Sequence, residues 1–324
     1  MTGPTLAPVQ LVELGPQLDD LRDEVLRGLT MPAKELPSKL FYDQRGSALF
    51  DQICLLDEYY LTRTETAILQ QNAAEIAALI GEGCALIEYG SGSSSKIRIL
   101  LDHLQEPLSY IPIDLAKDQL LQSAAAIAAA YPRLKVLPLC ADYNRPLAPP
   151  SLTGVLARRV AFFPGSTIGN FPPKEAAKFL QGVRDIIGRE GSLLIGVDLK
   201  KDPEQLHAAY NDSAGVTAEF NLNLLAHINR RFGADFRLDQ FAHRARYNQE
   251  LGRIEMHLIS LADQLVQLDD ARILFQLGEP ILTEVSYKYD LDQFASLAGQ
   301  AGFQVRRVWS DPARLFSVQY LEPR

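Results

Sequence analysis

Cysteine is scarce in this sequence. Three stand in 324 residues, at Cys54, Cys84 and Cys140, odd in number and without a CxxC pair. That excludes a disulfide framework or a cysteine zinc site. Cys84 and Cys140 lie beside apolar, strand-like runs and read as small buried hydrophobes. The histidines (His103, His207, His227, His243 and His257) share no ligand spacing, so no metal is expected and they read as structural or exposed. Basic charge is not in excess either. With 40 acidic against 32 basic residues and a net charge of −8, the chain repels phosphate backbones, and nucleic acid is not expected as a partner. The pairs Arg158-Arg159 and Arg230-Arg231 read as solvated faces. No uncharged apolar run reaches the roughly 18 residues of a membrane span. The first residues lack the basic start and apolar core of a signal peptide. These absences point to a cytoplasmic protein with no membrane partner; a monomer or weak oligomer is the expectation for its assembly, which the sequence does not reveal. What is present is ordinary for a globular chain: 47% hydrophobic and 22% charged residues, enough for one large core or two smaller ones. Disorder is expected only over residues 1–8, which carry two prolines and little to bury.

From residue 62 onward, helix and strand signals alternate. Thr62-Arg63-Thr64-Glu65 has the form of a capping box and opens an amphipathic run to Ile80. Strands are expected over 84–89, 108–113, 134–139, 160–163 and 192–197, with helices over 96–104, 116–130 and 174–187 between them. This alternation implies a parallel sheet covered on both faces. The pattern then changes. Residues 203–232 are mostly helical, and 241–248, 253–261, 273–275 and 281–289 are extended, as in an inserted lobe. The tail reads as a helix (291–301), a strand (303–310), an Asp311-Pro312 turn and a strand (315–320), which suits an antiparallel hairpin at the sheet edge. The first 61 residues hold a helical run over 9–29 and an aromatic segment with Phe41, Tyr42, Phe50, Tyr59 and Tyr60, grouped here with the inserted lobe. The expected fold is therefore α/β. One domain comprises 62–198 and 287–324, and a second α+β lobe comprises 1–61 and 199–286.

Residues 84–101, CALIEYGSGSSSKIRILL, read as a strand, a small-residue turn and a helix. Gly90 and Gly92 let the backbone turn sharply and approach a ligand, and the helix start offers free N–H groups. A dinucleotide site wants a third glycine near position 95, where this chain has Ser95 in a Ser93-Ser94-Ser95 run. Glu88 would repel a pyrophosphate, and it suits a ligand carrying a cationic amine and a sulfonium. Asp114 stands 22 residues after Gly92, at the end of the next strand, where a carboxylate receives ribose hydroxyls. Asp142 follows the third strand and suits an adenine amine. Three such signals in register over successive strands point to S-adenosyl-L-methionine.

The arrangement resembles the class I, Rossmann-like S-adenosylmethionine methyltransferases, terminal hairpin included. Four segments narrow it: EYYLTR (58–63), FPGSTIGN (163–170), YNDSAGVTAEFN (210–221) and TEVSYKY (283–289). They resemble the histidine N-alpha-methyltransferases of ergothioneine biosynthesis. The resemblance implies L-histidine as small-molecule substrate and three methyl transfers giving hercynine. It implies that Tyr60, Asn170 and Tyr210 hold the substrate carboxylate or amine, that Gly165 presents backbone there, and that Tyr42 lies near the amine through water. Glu284 and Ser286 would grip the imidazole and Met256 would pack against it. Gly90, Lys96, Asp114, Asp142 and Tyr143 would line the cofactor site. The residue types agree: a carboxylate and a hydroxyl two apart on a strand share a face and can read a ring with two nitrogens. The rivals are another aromatic amino acid as substrate in the same fold, and a non-catalytic S-adenosylmethionine-binding protein.

Overall fold

The computed structural model describes residues 11–14, 18–92, 95–143 and 157–324. The chain opens with β1 (Val12–Leu14), α1 (Leu18–Thr30), β2 (Lys34–Glu35), α2 (Gln44–Ile53) and α3 (Tyr60–Ile80). An alternating stretch follows, with β3 (Ala85–Tyr89), α4 (Ser95–Leu101), β4 (Ser109–Asp114), α5 (Lys117–Ala130), β5 (Lys135–Val136), β6 (Leu139–Ala141), β7 (Arg159–Phe163), α6 (Pro173–Ile187) and β8 (Ser192–Asp198). Next come α7 (Pro203–Tyr210), α8 (Val216–Phe232), β9 (Phe241–Asn248), β10 (Arg253–Ser260), β11 (Gln264–Leu268), β12 (Ala271–Phe275) and β13 (Pro280–Tyr287). The chain closes with α9 (Leu291–Gln300), β14 (Phe303–Ser310) and β15 (Phe316–Pro323). The disorder expected at 1–8, residues 9, 10 and 15–17 of the helix expected over 9–29, and the Ser93-Ser94 pair lie outside the described residues. No helix among the described residues is long and apolar enough to cross a membrane.

Two compact units are present: Met1–Gly15, Arg63–Leu199 and Tyr289–Arg324 form the first, and Pro16–Thr62 with Lys200–Lys288 the second. In the first, the strand order is β1-β6-β4-β3-β7-β8-β15-β14. All pairings from β1 to β8 are parallel, and β15 and β14 add antiparallel. This is the class I methyltransferase sheet with its terminal hairpin. Every residue of β3 and of β8 is buried, as parallel strands covered on both faces must be. The strand order reverses direction beside β3, so the loop leaving β3 sits at the topological switch point, where sheets of this kind bind ligands.

Three local readings need correction. Val12–Leu14, expected inside a helix and grouped with the second lobe, is a strand that pairs with β6 of the first unit. The single strand expected over 134–139 is two short ones, β5 and β6, both paired with β4. The capping box at Thr62 does not form, because α3 already begins at Tyr60. The Glu65 carboxylate is engaged elsewhere, and the Thr62 hydroxyl donates to the Cys54 sulfur.

The second unit carries a mixed sheet in the order β2-β13-β10-β9 and the separate hairpin β11-β12. β11 has only a weak alternation, Gln264-Leu265-Val266-Gln267-Leu268, and is not legible as a strand until Ile273 of β12 is seen opposite Val266. Helix α8 packs on β9 and β10 and against α2, burying Phe220, Leu224, Leu225 and Ile228. A register shift between Met256 and His257 interrupts the β10–β13 pairing next to the Met256–Glu284 pair.

Candidate active site

The loop after β3 turns through two left-handed glycines, Gly90 at φ +70° and Gly92 at φ +46°. A Cβ at Gly90 would lie 3.6 Å from the Tyr143 hydroxyl, an ordinary contact, so it is the left-handed turn that favours glycine there. Asp114, at the end of β4, organises the loop: one carboxylate oxygen accepts the Gly92 N–H at 3.1 Å and the other the Ala116 N–H at 2.9 Å. Burial pushes the Asp114 carboxyl up and these backbone donors oppose the rise. Glu88 lies beneath the loop, 1% exposed, and accepts from the Tyr110 hydroxyl. Burial pushes its carboxyl up to about 8, against the pull of Tyr110 and Lys96. Asp142 is buried at 3% exposure. Tyr143 stacks edge-on with Tyr89 and Phe163, and Phe179 joins the cluster. The Ser91 hydroxyl is buried in the loop with no partner among the described residues. An orphaned buried hydroxyl between two left-handed glycines, in a loop whose Gly92 N–H is held by the Asp114 carboxylate, fits a polar cationic ligand with hydroxyls to place. Glu88, Gly90, Gly92, Asp114, Asp142 and Tyr143 are thus brought to the ends of adjacent strands.

Lys96, in the first turn of α4, is not a solvated surface lysine. Its side chain is 15% exposed and its ammonium is ion-paired with Glu65, whose side chain is 1% exposed. The Glu65 carboxylate also accepts the Gly165 N–H with both oxygens, at 3.0 and 2.9 Å. Gly196 leaves the space this needs: a Cβ there would stand 2.0 Å from Glu65 Oε1. Glu65 therefore joins the cofactor helix to the FPGSTIGN segment. In that segment Gly165 and Ser166 are both left-handed, at φ +79° and +58°. The Ser166 hydroxyl accepts the Asp198 N–H at 2.9 Å, which holds the turn open. With the Gly165 N–H committed to Glu65, the carbonyl is the backbone group left to present. Asn170 ends the short 3-10 turn Thr167–Asn170.

In the second unit, Glu284 and Ser286 lie two apart on β13, and Glu284 pairs with Met256 across the sheet. Glu284 is half-buried, and burial pushes its carboxyl up to about 7 while Lys288 opposes the rise. Met256 is 2% exposed. Tyr210, the last residue of α7, donates its hydroxyl to Ser286 Oγ at 3.0 Å, and Tyr59 meets its ring edge-on at 6.2 Å. The YNDSAG segment fixes Tyr210. Asn211 bonds the backbone of Ala245 in both directions, Asp212 accepts the Val216 and Thr217 N–H groups at 2.8 Å, and Glu58 accepts from Ser213. The His243 ring takes a bond from Asn221 and gives one to the Tyr210 carbonyl at 2.9 Å, a structural role. The Tyr60 hydroxyl accepts from Lys201 at 2.5 Å. Tyr42 is the most open of the set, 36% exposed, with its ring against Phe50 and Phe220.

Gly165 and Asn170 thus belong to the first unit, and Tyr42, Tyr60, Tyr210, Met256, Glu284 and Ser286 to the second. Sequence reasoning takes Glu65 for a capping residue and does not single out Lys201 or Lys288, although Lys288 continues the Glu284–Ser286 alternation and could have been read from it. Cys84 and Cys140 are buried. Among the described residues no group of three or more histidine, cysteine or acidic side chains could hold a metal ion.

The sheet order and the loop at its switch point define a class I S-adenosylmethionine-dependent methyltransferase. A family model described as histidine-specific methyltransferase, SAM-dependent, matches residues 21–323, and the chain belongs to that family. It is similar to the histidine N-alpha-methyltransferase of Mycolicibacterium smegmatis, 43% identical over 92% of this chain and 93% of that one. It is similar to ergothioneine biosynthesis protein 1 of Neurospora crassa, 32% identical over 86% of this chain but 32% of that one. The 4-dimethylallyltryptophan N-methyltransferase of Epichloe festucae var. lolii is 30% identical over 90% of this chain and 92% of its own.

Proposed function

We propose that this chain methylates the alpha-amine of L-histidine in three successive rounds, giving hercynine as a step of ergothioneine biosynthesis. S-adenosyl-L-methionine supplies a methyl carbon on a sulfonium, which an amine lone pair takes up while the carbon–sulfur electron pair stays on sulfur. The protein's contribution is largely positioning. On the cofactor side, Asp114 receives the ribose hydroxyls, Asp142 the adenine amine with Tyr143 beside it, and Glu88, under Gly90 and Gly92, a cationic group. Lys96 completes that side. On the substrate side, Tyr60, Asn170 and Tyr210 hold the alpha-carboxylate or amine, and Gly165 presents its carbonyl. The amine must shed a proton before each attack, because only its lone pair reacts. Tyr42 and Tyr60, with the Asn170 carbonyl, orient it and pass the proton to water.

The observation that carries the substrate reading is the Glu284–Ser286 pair, an acceptor and a hydroxyl on one face of β13 in a chain of the histidine-specific family. A carboxylate accepts one imidazole N–H and the hydroxyl meets the other nitrogen, with Met256 against the ring. The relative that acts, by its name, on a tryptophan derivative makes an indole the rival substrate. An indole has one N–H and no ring acceptor, which leaves Ser286 unmatched. The enzyme is taken to work in the cytoplasm, as a monomer or weak oligomer, on free histidine rather than on nucleic acid or a membrane. Incubation with S-adenosylmethionine and L-histidine, then mass spectrometry, should show one, two and three added methyl groups. Tryptophan and tyrosine should be poor substrates in the same panel. Unchanged histidine turnover in Glu284→Ala would sink the specificity argument. Cofactor binding by calorimetry with no methylated product would favour a non-catalytic role.

A further inference from the structure

Lys288 directly follows β13 and is 2% exposed. An ammonium this deep requires partners. It donates to the Tyr210 hydroxyl at 2.9 Å and to Ser286 Oγ at 2.9 Å. Its charge stands 4.9 Å from the centre of the Tyr210 ring, and its own N–H is held by the Gly252 carbonyl at 2.8 Å. Tyr210 in turn donates to Ser286 Oγ at 3.0 Å. A serine hydroxyl has two lone pairs and one proton. Both lone pairs of Ser286 are engaged, by Lys288 and Tyr210, so the proton is what Ser286 has to offer a ligand.

We propose that Lys288 is a positioning residue for substrate specificity. By donating to both Ser286 and Tyr210, it makes Ser286 a dedicated donor toward the acceptor nitrogen of a neutral imidazole. The inference rests on the histidine reading above. A hydroxyl free to rotate would accept from a ring N–H as readily as donate to a ring nitrogen. One whose lone pairs are occupied is left unmatched by a ring without an acceptor, and an unmatched buried polar group weakens binding. The imidazolium form, which presents N–H on both sides, is excluded for the same reason.

The test compares wild type, Lys288→Met, Ser286→Ala and the double variant, using L-histidine and the two 3-pyrrolylalanine isomers, which keep one ring N–H and lack the acceptor nitrogen. Lys288→Met should raise KM for histidine about tenfold, with a smaller change in kcat and no change in cofactor affinity by calorimetry. Pyrrolylalanine affinity should not fall, so discrimination shrinks. In the Ser286→Ala background, Lys288→Met should add less than twofold, because its effect passes through Ser286. A structural defect alone would lower affinity for all ring types and for the cofactor. If Lys288→Met does not fold, the Ser286→Ala comparison still decides: discrimination against pyrrolylalanine must largely disappear. Intact discrimination in Ser286→Ala, a histidine KM within twofold of wild type in Lys288→Met, or additive effects in the double variant each overturn the proposal. Failure of the wild type to methylate histidine would instead overturn the reading it rests on.

Discussion

Single side chains carry the pH behaviour of this protein. Glu284, raised by burial to about 7, accepts a ring N–H best as a carboxylate. The ratio of histidine KM in Glu284→Gln to that in wild type should therefore grow as pH rises from about 6 to 8. Taking the ratio cancels the titration of the substrate itself, and a ratio flat across that range would remove Glu284 from ring recognition. Glu88 affects stability. Its carboxyl is raised from 4.5 to about 8, first by burial, so the folded state holds this proton more tightly than the unfolded chain. Its contribution is fully present below about 4.5 and is lost as pH rises through about 8. Thermal unfolding of the cofactor-free protein should show that decline, and Glu88→Gln should flatten it. The strand-loop-helix signal made Glu88 legible because everything it signifies is local. The same kind of reading misassigned Glu65. A hydroxyl three residues before a glutamate matches a capping box in any sequence, and nothing local reveals that α3 begins earlier and that the carboxylate reaches Lys96 and Gly165.

At the scale of elements, Arg158 decides how α3 is held. Its guanidinium donates to the carbonyls of Leu79 and Ile80 at 3.0 Å, to that of Glu190 at 2.9 Å and to the Tyr320 hydroxyl at 2.8 Å. It thus occupies the open carbonyls at the C-terminus of α3 and ties them to β15. Its neighbour Arg159 donates to the Ile186 carbonyl at the end of α6. The pair is a brace and not the solvated face that a two-residue basic run suggests. Arg158→Ala should lower stability by about 2–3 kcal/mol, several degrees in Tm. Arg158→Lys should recover little of it, since an ammonium has three N–H donors and cannot serve four acceptors. An Arg158→Ala change below about 0.5 kcal/mol in denaturant unfolding would show the brace to be decorative. The elements themselves were largely legible. The fully buried strands β3 and β8 read as apolar runs, and α6 shows clear helical spacing. β11 and β1 were not, because a strand of three to five residues has too few alternations to register, and pairing alone identifies it.

For the molecule as a whole, the chain crosses between its units at Pro16, within α3, after Leu199 and after Lys288. Neither unit is one continuous segment. The terminal hairpin has a structural duty: β15 covers the free edge of β8 over its buried run Leu193–Asp198. Deletion of 303–324 would expose an apolar strand edge, the usual template for aggregation. The shortened chain should be found in the insoluble fraction or in high-mass species by size exclusion. A monodisperse, folded product would contradict that role for the hairpin.

The sequence by itself determined the class of fold, the cofactor and the family. Each of these is written in contiguous segments: a strand and a glycine turn, an acidic residue at the next strand end, FPGSTIGN, TEVSYKY. Local backbone chemistry and short-range order suffice to read such signals. Only the tertiary structure decided what the buried charges are for. Glu65 meets Lys96 across 31 residues and Gly165 across 100, and Lys288 meets Tyr210 across 78. A charge taken out of water is tolerable only beside a specific partner, and that partner is chosen by the folding of distant segments onto one another.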